Sequence, residues 1–172
     1  MKKIISILLC MVMVLSLCAC DFAKDSIDLT VNDTSVAKTF ECGSLSSELN
    51  SDFLTMDFVD DNYEFIWGTE DVTIMGLMTE FEQDVLDNMT ALDYATLFRE
   101  QISDFNPSEI SNLDGIPIME YTNAGDDGDV TFLLTFYEAT DGIWLVMFSA
   151  DADVYSEHYT SFCEYAKTVR CN

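Results

Sequence analysis

Cys20 is the residue with the clearest chemistry. It closes Leu17-Cys18-Ala19-Cys20, after two lysines (Lys2, Lys3) and an apolar run, Ile4–Leu17, broken only by Ser6, Cys10 and Ser16. A basic start, a short apolar stretch and a small residue before a cysteine form a lipoprotein signal. The expected chemistry is thioether formation between the Cys20 thiol and a diacylglyceryl group, followed by cleavage just before Cys20. Cys18 is the weaker acceptor, because Leu17 before it is bulky.

Other reactive side chains are sparse. There is one histidine, His158, so any Ser-His or Cys-His machine would have to use it. Its place at the edge of an apolar helical stripe reads as a half-covered boundary residue. Asp126, Asp127 and Asp129 crowd three carboxylates into a tight turn, and hard cations favour oxygen ligands. No EF-hand glutamate follows, so a solvated acidic turn is the favoured reading and the three are weak cation candidates. Asp57, Asp60 and Asp61 read the same way. Cys42, Cys163 and Cys171 lack C-x-x-C spacing, which argues against structural zinc. They read as buried small hydrophobes, and a Cys42–Cys171 pair is open if their strands are neighbours. No P-loop, dinucleotide fingerprint or Gly-x-Ser-x-Gly elbow occurs. Carboxylate pairs, the minimum for glycoside hydrolysis, carry no signal in a chain with 32 acids. No cofactor is expected.

Charge narrows the partners. All 32 acids lie at or after Asp21, against Lys24, Lys38, Arg99, Lys167 and Arg170, and the whole chain carries −25. Nucleic acid is excluded as a direct partner by repulsion. The apolar run is shorter than the roughly 20 residues that a spanning helix needs. The expected partners are the cell membrane, through the lipid on Cys20, and, from the anchor, the tether and the lack of catalytic signatures, an unidentified protein. The expected place is the extracytoplasmic face of a bacterial cell membrane, and Asp21 after the lipidated cysteine suits Gram-positive and Gram-negative cells alike.

The elements that must position these residues follow in order. Residues 1–19 read as signal, 20–38 as a polar tether and 39–172 as one domain. Phe40–Cys42 and Leu45–Leu49 read as a hairpin turning at Gly43-Ser44. Tyr63–Trp67 and Val72–Phe81 form a second strand pair. In it Tyr63, Phe65 and Trp67 alternate onto one face: a binding surface if nothing covers it, core if a helix does. Thr90–Asp104 reads as a helix with Ala91, Tyr94, Ala95, Phe98 and Ile102 on one stripe, capped by Asn88 or Thr90. Ile116–Tyr121, Val130–Ala139 and Ile143–Ala150 are strands. The last is apolar throughout its first six residues and reads as central, buried on both faces. Val154–Val169 is the closing helix, with Asp153 as expected N-cap and Tyr155, Tyr159, Phe162, Ala166 and Val169 inward. Antiparallel strands with helices on the faces predict an α+β fold.

Asp114-Gly-Ile-Pro-Ile-Met-Glu-Tyr121, Phe132–Glu138, Gly142-Ile-Trp-Leu-Val-Met-Phe148, and Asp151-Ala-Asp153 leading into Tyr155, Tyr159, Phe162 and Tyr165-Ala-Lys167 carry a resemblance. Over most of Thr39–Cys171 the chain resembles the Mog1/PsbP-like superfamily, including its bacterial lipoprotein branch. The resemblance implies an antiparallel sheet sandwiched by helices, and an accessory or partner-binding role with no catalytic residues. A non-enzymatic binding module is thus the expectation, with a solute- or divalent-cation-binding lipoprotein as the alternative.

Overall fold

The computed structural model describes residues 37–56, 63–125, 128–140 and 142–172, all within the compact unit Ser35–Asn172. The expected signal segment, Cys20, most of the expected tether, Asp57, Asp60, Asp61, Asp126 and Asp127 lie outside the described residues.

The chain builds β1 (Ala37–Cys42), β2 (Leu45–Asn50), β3 (Leu54–Thr55), β4 (Phe65–Gly68) and β5 (Val72–Glu80). Two helices follow, α1 (Gln83–Leu86) and α2 (Ala91–Gln101), then a 3-10 turn at Ser103–Phe105. The second half runs β6 (Ser111–Leu113), β7 (Ile116–Gly125), β8 (Gly128–Glu138), β9 (Gly142–Asp151), α3 (Tyr155–Thr168) and β10 (Arg170–Cys171). The strands form a seven-stranded sheet, β3-β4-β5-β9-β8-β7-β6, and a three-stranded sheet, β1-β2-β10, with every pairing antiparallel. The fold is α+β. Strand β1 reaches back to Ala37, so the last two residues of the expected tether belong to the fold.

The apolar run of β9 makes it the middle strand, with every residue but Asp151 buried. Its two sides face two cores. Register aligns Trp67, Ile74, Phe148 and Leu133 in one row across the sheet. Phe162 of α3 packs on that row at 5.7 Å from Phe148, and the β1–β2 hairpin covers the rest with Phe40, Leu45 and Leu49. The opposite row is Met75, Met147, Leu134 and Met119. There α2 lies over β7 and β8, with Tyr94 and Phe98 each 6.0 Å from Phe136. The sheet therefore has helices on both faces, as expected, with the small sheet added beside α3.

Helix α2 starts where its capping residue dictates. The Thr90 hydroxyl accepts from the Asp93 N–H (3.2 Å), and the Asp93 carboxylate accepts from the Thr90 N–H (3.0 Å). This reciprocal box satisfies two helix-end donors and holds the Asp93 carboxyl below its usual range. Helix α3 differs from expectation. Its cap is Val154, with no side-chain hydrogen bond, rather than Asp153. A tight turn, Val154 N–H to Asp151 O at 3.1 Å, places Asp153 one residue too early to reach the first helical donors.

Candidate functional site

Of the three residues of the possible aromatic binding surface, Phe65 and Trp67 are core. Phe65 and Trp67 are 3% and 2% exposed and stack on each other at 3.8 Å. Phe40 of β1 tilts onto Trp67 at 5.3 Å, so the cover is the small sheet rather than a helix. Phe65 also lies over Gly76, its cross-strand partner, where a methyl group would collide with the ring. Tyr63, just before β4, is half-buried.

Cys42 and Cys171 are not neighbours. Each sits directly opposite Leu45, on either side of β2. Two strand spacings separate them by about 9–10 Å, beyond the roughly 7 Å limit between Cα atoms for a disulfide. Cys42, Cys163 and Cys171 are free thiols. Burial and then the Glu64 carboxylate push the Cys42 thiol up; burial pushes Cys171 up to about 11. Neither is a poised nucleophile. Asp129 is exposed, and its carbonyl accepts from Ala152 N–H at 2.8 Å. Among the described residues, no three His, Cys, Asp or Glu side chains converge as a metal site.

His158 is half-buried at the edge of a hollow of about 180 Å³. Three segments distant in sequence meet there. The β2–β3 turn brings Asn50, Asp52 and Phe53, and is closed by Phe53 N–H to Asn50 O at 3.2 Å. The β4–β5 connection brings Thr69, whose hydroxyl accepts from Asp71 and Val72 N–H at 3.3 Å each. Helix α3 supplies His158, Ser161, Phe162 and Tyr165, spaced i, i+3, i+4 and i+7 along one side. Buried Phe53, Val72 and Phe162 make the floor, while Asn50, Asp52, Thr69, Ser161 and His158 make a polar rim. Tyr165 forms a wall, edge-on to Phe53 at 5.6 Å, its hydroxyl pushed up by burial and by the nearby Asp52 carboxylate. Sequence reading marked only His158 of this group. The polar residues flanking Phe162 on the helix were a visible signal, and both turns are legible as turns in Asn50-Ser51-Asp52 and Gly68–Asp71, but their meeting at α3 is not.

A second hollow, about 160 Å³, lies between Thr39, Ser46, Ser47, Glu48, Thr168 and Arg170. Its polar groups answer one another: Glu48 N–H donates to Thr168 Oγ1 (3.0 Å), and Arg170 Nη1 donates to the Lys167 and Val169 carbonyls (2.7 Å each).

The sequence matches no protein-family model and no curated protein. Solved structures do match. Cyanobacterial PsbP (CyanoP) from Synechocystis sp. PCC 6803 superposes with TM-score 0.56 at 12% identity, over 91% of this chain and 99% of that one. The Ran-binding protein Mog1p of Saccharomyces cerevisiae gives 0.51 at 12% identity, over 80% and 96%. The fold is Mog1/PsbP-like. A Bacteroides thetaiotaomicron protein shares it at TM-score 0.52 and 8% identity, over 75% of this chain but only 45% of its own length. The Mog1/PsbP-like likeness is one of fold and assigns no side chain a role.

Proposed function

We propose that this chain is an extracytoplasmic lipoprotein, anchored through Cys20, that works as a non-enzymatic binding or accessory module for another protein. One observation supports it above the others. The two hollows described hold about 160 and 180 Å³, well under the roughly 300 Å³ at which small-molecule sites begin. A face this shallow suits contact with a macromolecule better than enclosure of a substrate. The fold it shares with Mog1p, itself a Ran-binding protein, agrees with that reading.

In-cell crosslinking of the membrane-anchored protein, with mass spectrometry of the captured material, tests it. A reproducible protein partner is expected, and none above background overturns the reading. The anchor has its own test: Cys20→Ser moves the protein from the membrane fraction to the soluble one and removes the lipid mass. A cation-binding lipoprotein is the second reading, motivated by the Asp126–Asp129 turn. A melting shift with millimolar calcium supports it, and no shift removes it.

A further inference from the structure

Strand β1 is the longest strand at an end of either sheet: six residues, against two each in β3 and β10 and three in β6. Ala37, Lys38, Thr39 and Glu41 are exposed, and among the described residues only β2 pairs with this strand. The direction of its free groups follows from β2. On the β10 side of β2, Asn172 N–H donates to Ser44 O at 3.1 Å, Ser46 pairs with Arg170, and Glu48 N–H donates to Thr168 Oγ1 at 3.0 Å. Antiparallel strands turn alternate residues to alternate neighbours, so Leu45, Ser47 and Leu49 bond to Cys42, Phe40 and Lys38. The N–H and C=O groups of Ala37, Thr39 and Glu41 therefore point away from the fold. Open edges are commonly blunted by short strands, proline or an outstretched lysine. Strand β1 has no proline, and Lys38 is folded back, its Nζ 4.7 Å over the Phe40 ring.

We infer that β1 pairs edge to edge with β1 of a second copy of this chain, across a two-fold axis at Thr39. With Thr39 opposite Thr39, Ala37 faces Glu41 of the second copy at both ends. Every outward residue is then bonded, and each facing pair exchanges both its N–H···O bonds. Any other antiparallel register of these residues closes fewer. The same register keeps like charges apart, because Glu41 faces Ala37 and Lys38 faces Phe40. The two threonines form a favourable cross-strand pair. The small sheets join into one, β10-β2-β1-β1-β2-β10. A second copy suits the edge because a two-fold contact is self-complementary. The edge also carries no net charge, Lys38 offsetting Glu41, on a chain of −25. Screening over about 8 Å at physiological salt confines the repulsion between copies to groups near the junction. Sixteen residues separate Cys20 from Ala37, up to about 55 Å of extended chain. Copies held by the proposed anchor can thus meet on one membrane, although the pairing itself does not need the anchor.

The test is disulfide trapping of the full chain in membranes isolated from cells, read on non-reducing gels. Thr39→Cys meets itself across the axis, where Cα atoms about 5.5 Å apart suit a disulfide. A dimer band is expected from Thr39→Cys and none from Glu157→Cys, exposed on α3 away from the edge. Ala37→Cys and Glu41→Cys chains expressed together are expected to give the dimer that neither gives alone. A second readout is the mass of detergent-extracted protein by analytical ultracentrifugation. Thr39→Pro removes an outward N–H and no bond within the fold, as proline does on edge strands. It is expected to weaken the dimer about tenfold, the scale of the two bonds lost across the axis. Raising salt from about 0.01 to 0.15 M is expected to strengthen the dimer, because the screening length falls from about 30 to 8 Å. No trapped dimer from Thr39→Cys, or as much from Glu157→Cys, overturns the inference. So does a dimer indifferent to Thr39→Pro, or one that salt dissolves. Thr39→Cys linked to a different protein also overturns it, and assigns the edge to a partner's strand.

Discussion

Tyr155 shows how one misplaced polar atom weighs on a core. Its ring packs against Tyr159 and Phe162, 6.0 and 5.8 Å away, and the residue is 7% exposed. Among the described residues the hydroxyl is buried with no hydrogen bond of good geometry, the Glu120 carboxylate beside it being its loose neighbour, and burial together with that carboxylate drives it well above the usual phenol range. Leaving such a group unpaired costs free energy, so Tyr155→Phe is expected to raise stability by about 1 kcal/mol, measured by urea unfolding. Trp67 predicts the opposite. Stacked on Phe65 and 2% exposed, it holds the two sheets together. Trp67→Ala is expected to cost about 3–5 kcal/mol in the same assay. The alternation of Tyr63, Phe65 and Trp67 told the correct side of the strand. What covers that side was not local information, because the cover comes from Phe40, far upstream.

At the scale of elements, legibility tracked length. The six-residue apolar run Ile143–Phe148 announced a central strand, and the hairpin at Gly43 was visible in its turn residues. Strands β3 and β10 have two residues each and β6 has three, too few to show a period of two. They exist because a neighbouring strand offers them hydrogen bonds. The rim of the hollow was hidden for a related reason: its turns have ordinary loop composition, and only the fold brings them to α3. Helix α2 was readable because its own capping box starts it. Thr90→Ala removes the acceptor for Asp93 N–H and is expected to cost about 1 kcal/mol, seen as a lower melting temperature.

For the whole molecule, alkaline pH is the exposed flank. The Cys171 thiol has an ordinary value of 9.0 and sits at about 11 in the fold, and burial also raises Cys42, Tyr137, Tyr155, Tyr159 and Tyr165. Each is harder to ionise folded than unfolded. For Cys171 the stabilisation is complete below pH 9 and is lost as pH rises through about 11, with the phenols adding from 10 upward. Stability measured by chemical denaturation is expected to decline steeply above pH 9; a flat profile to pH 11 would contradict the burial of these groups.

Strand β2 holds β1 on one side and β10 on the other, so the first and last strands of the fold share one neighbour. The large sheet repeats the theme, since β5 has to wait for β9. A chain emerging amino end first can close its early hairpins but neither sheet, and contacts between residues so far apart form slowly. The large sheet cannot close before β9 (Gly142–Asp151) is free, nor the small one before β10 (Arg170–Cys171). While its second half is held, a polypeptide built this way can form hairpins but not its two sheets, a state that suits a chain threaded across a membrane before it folds.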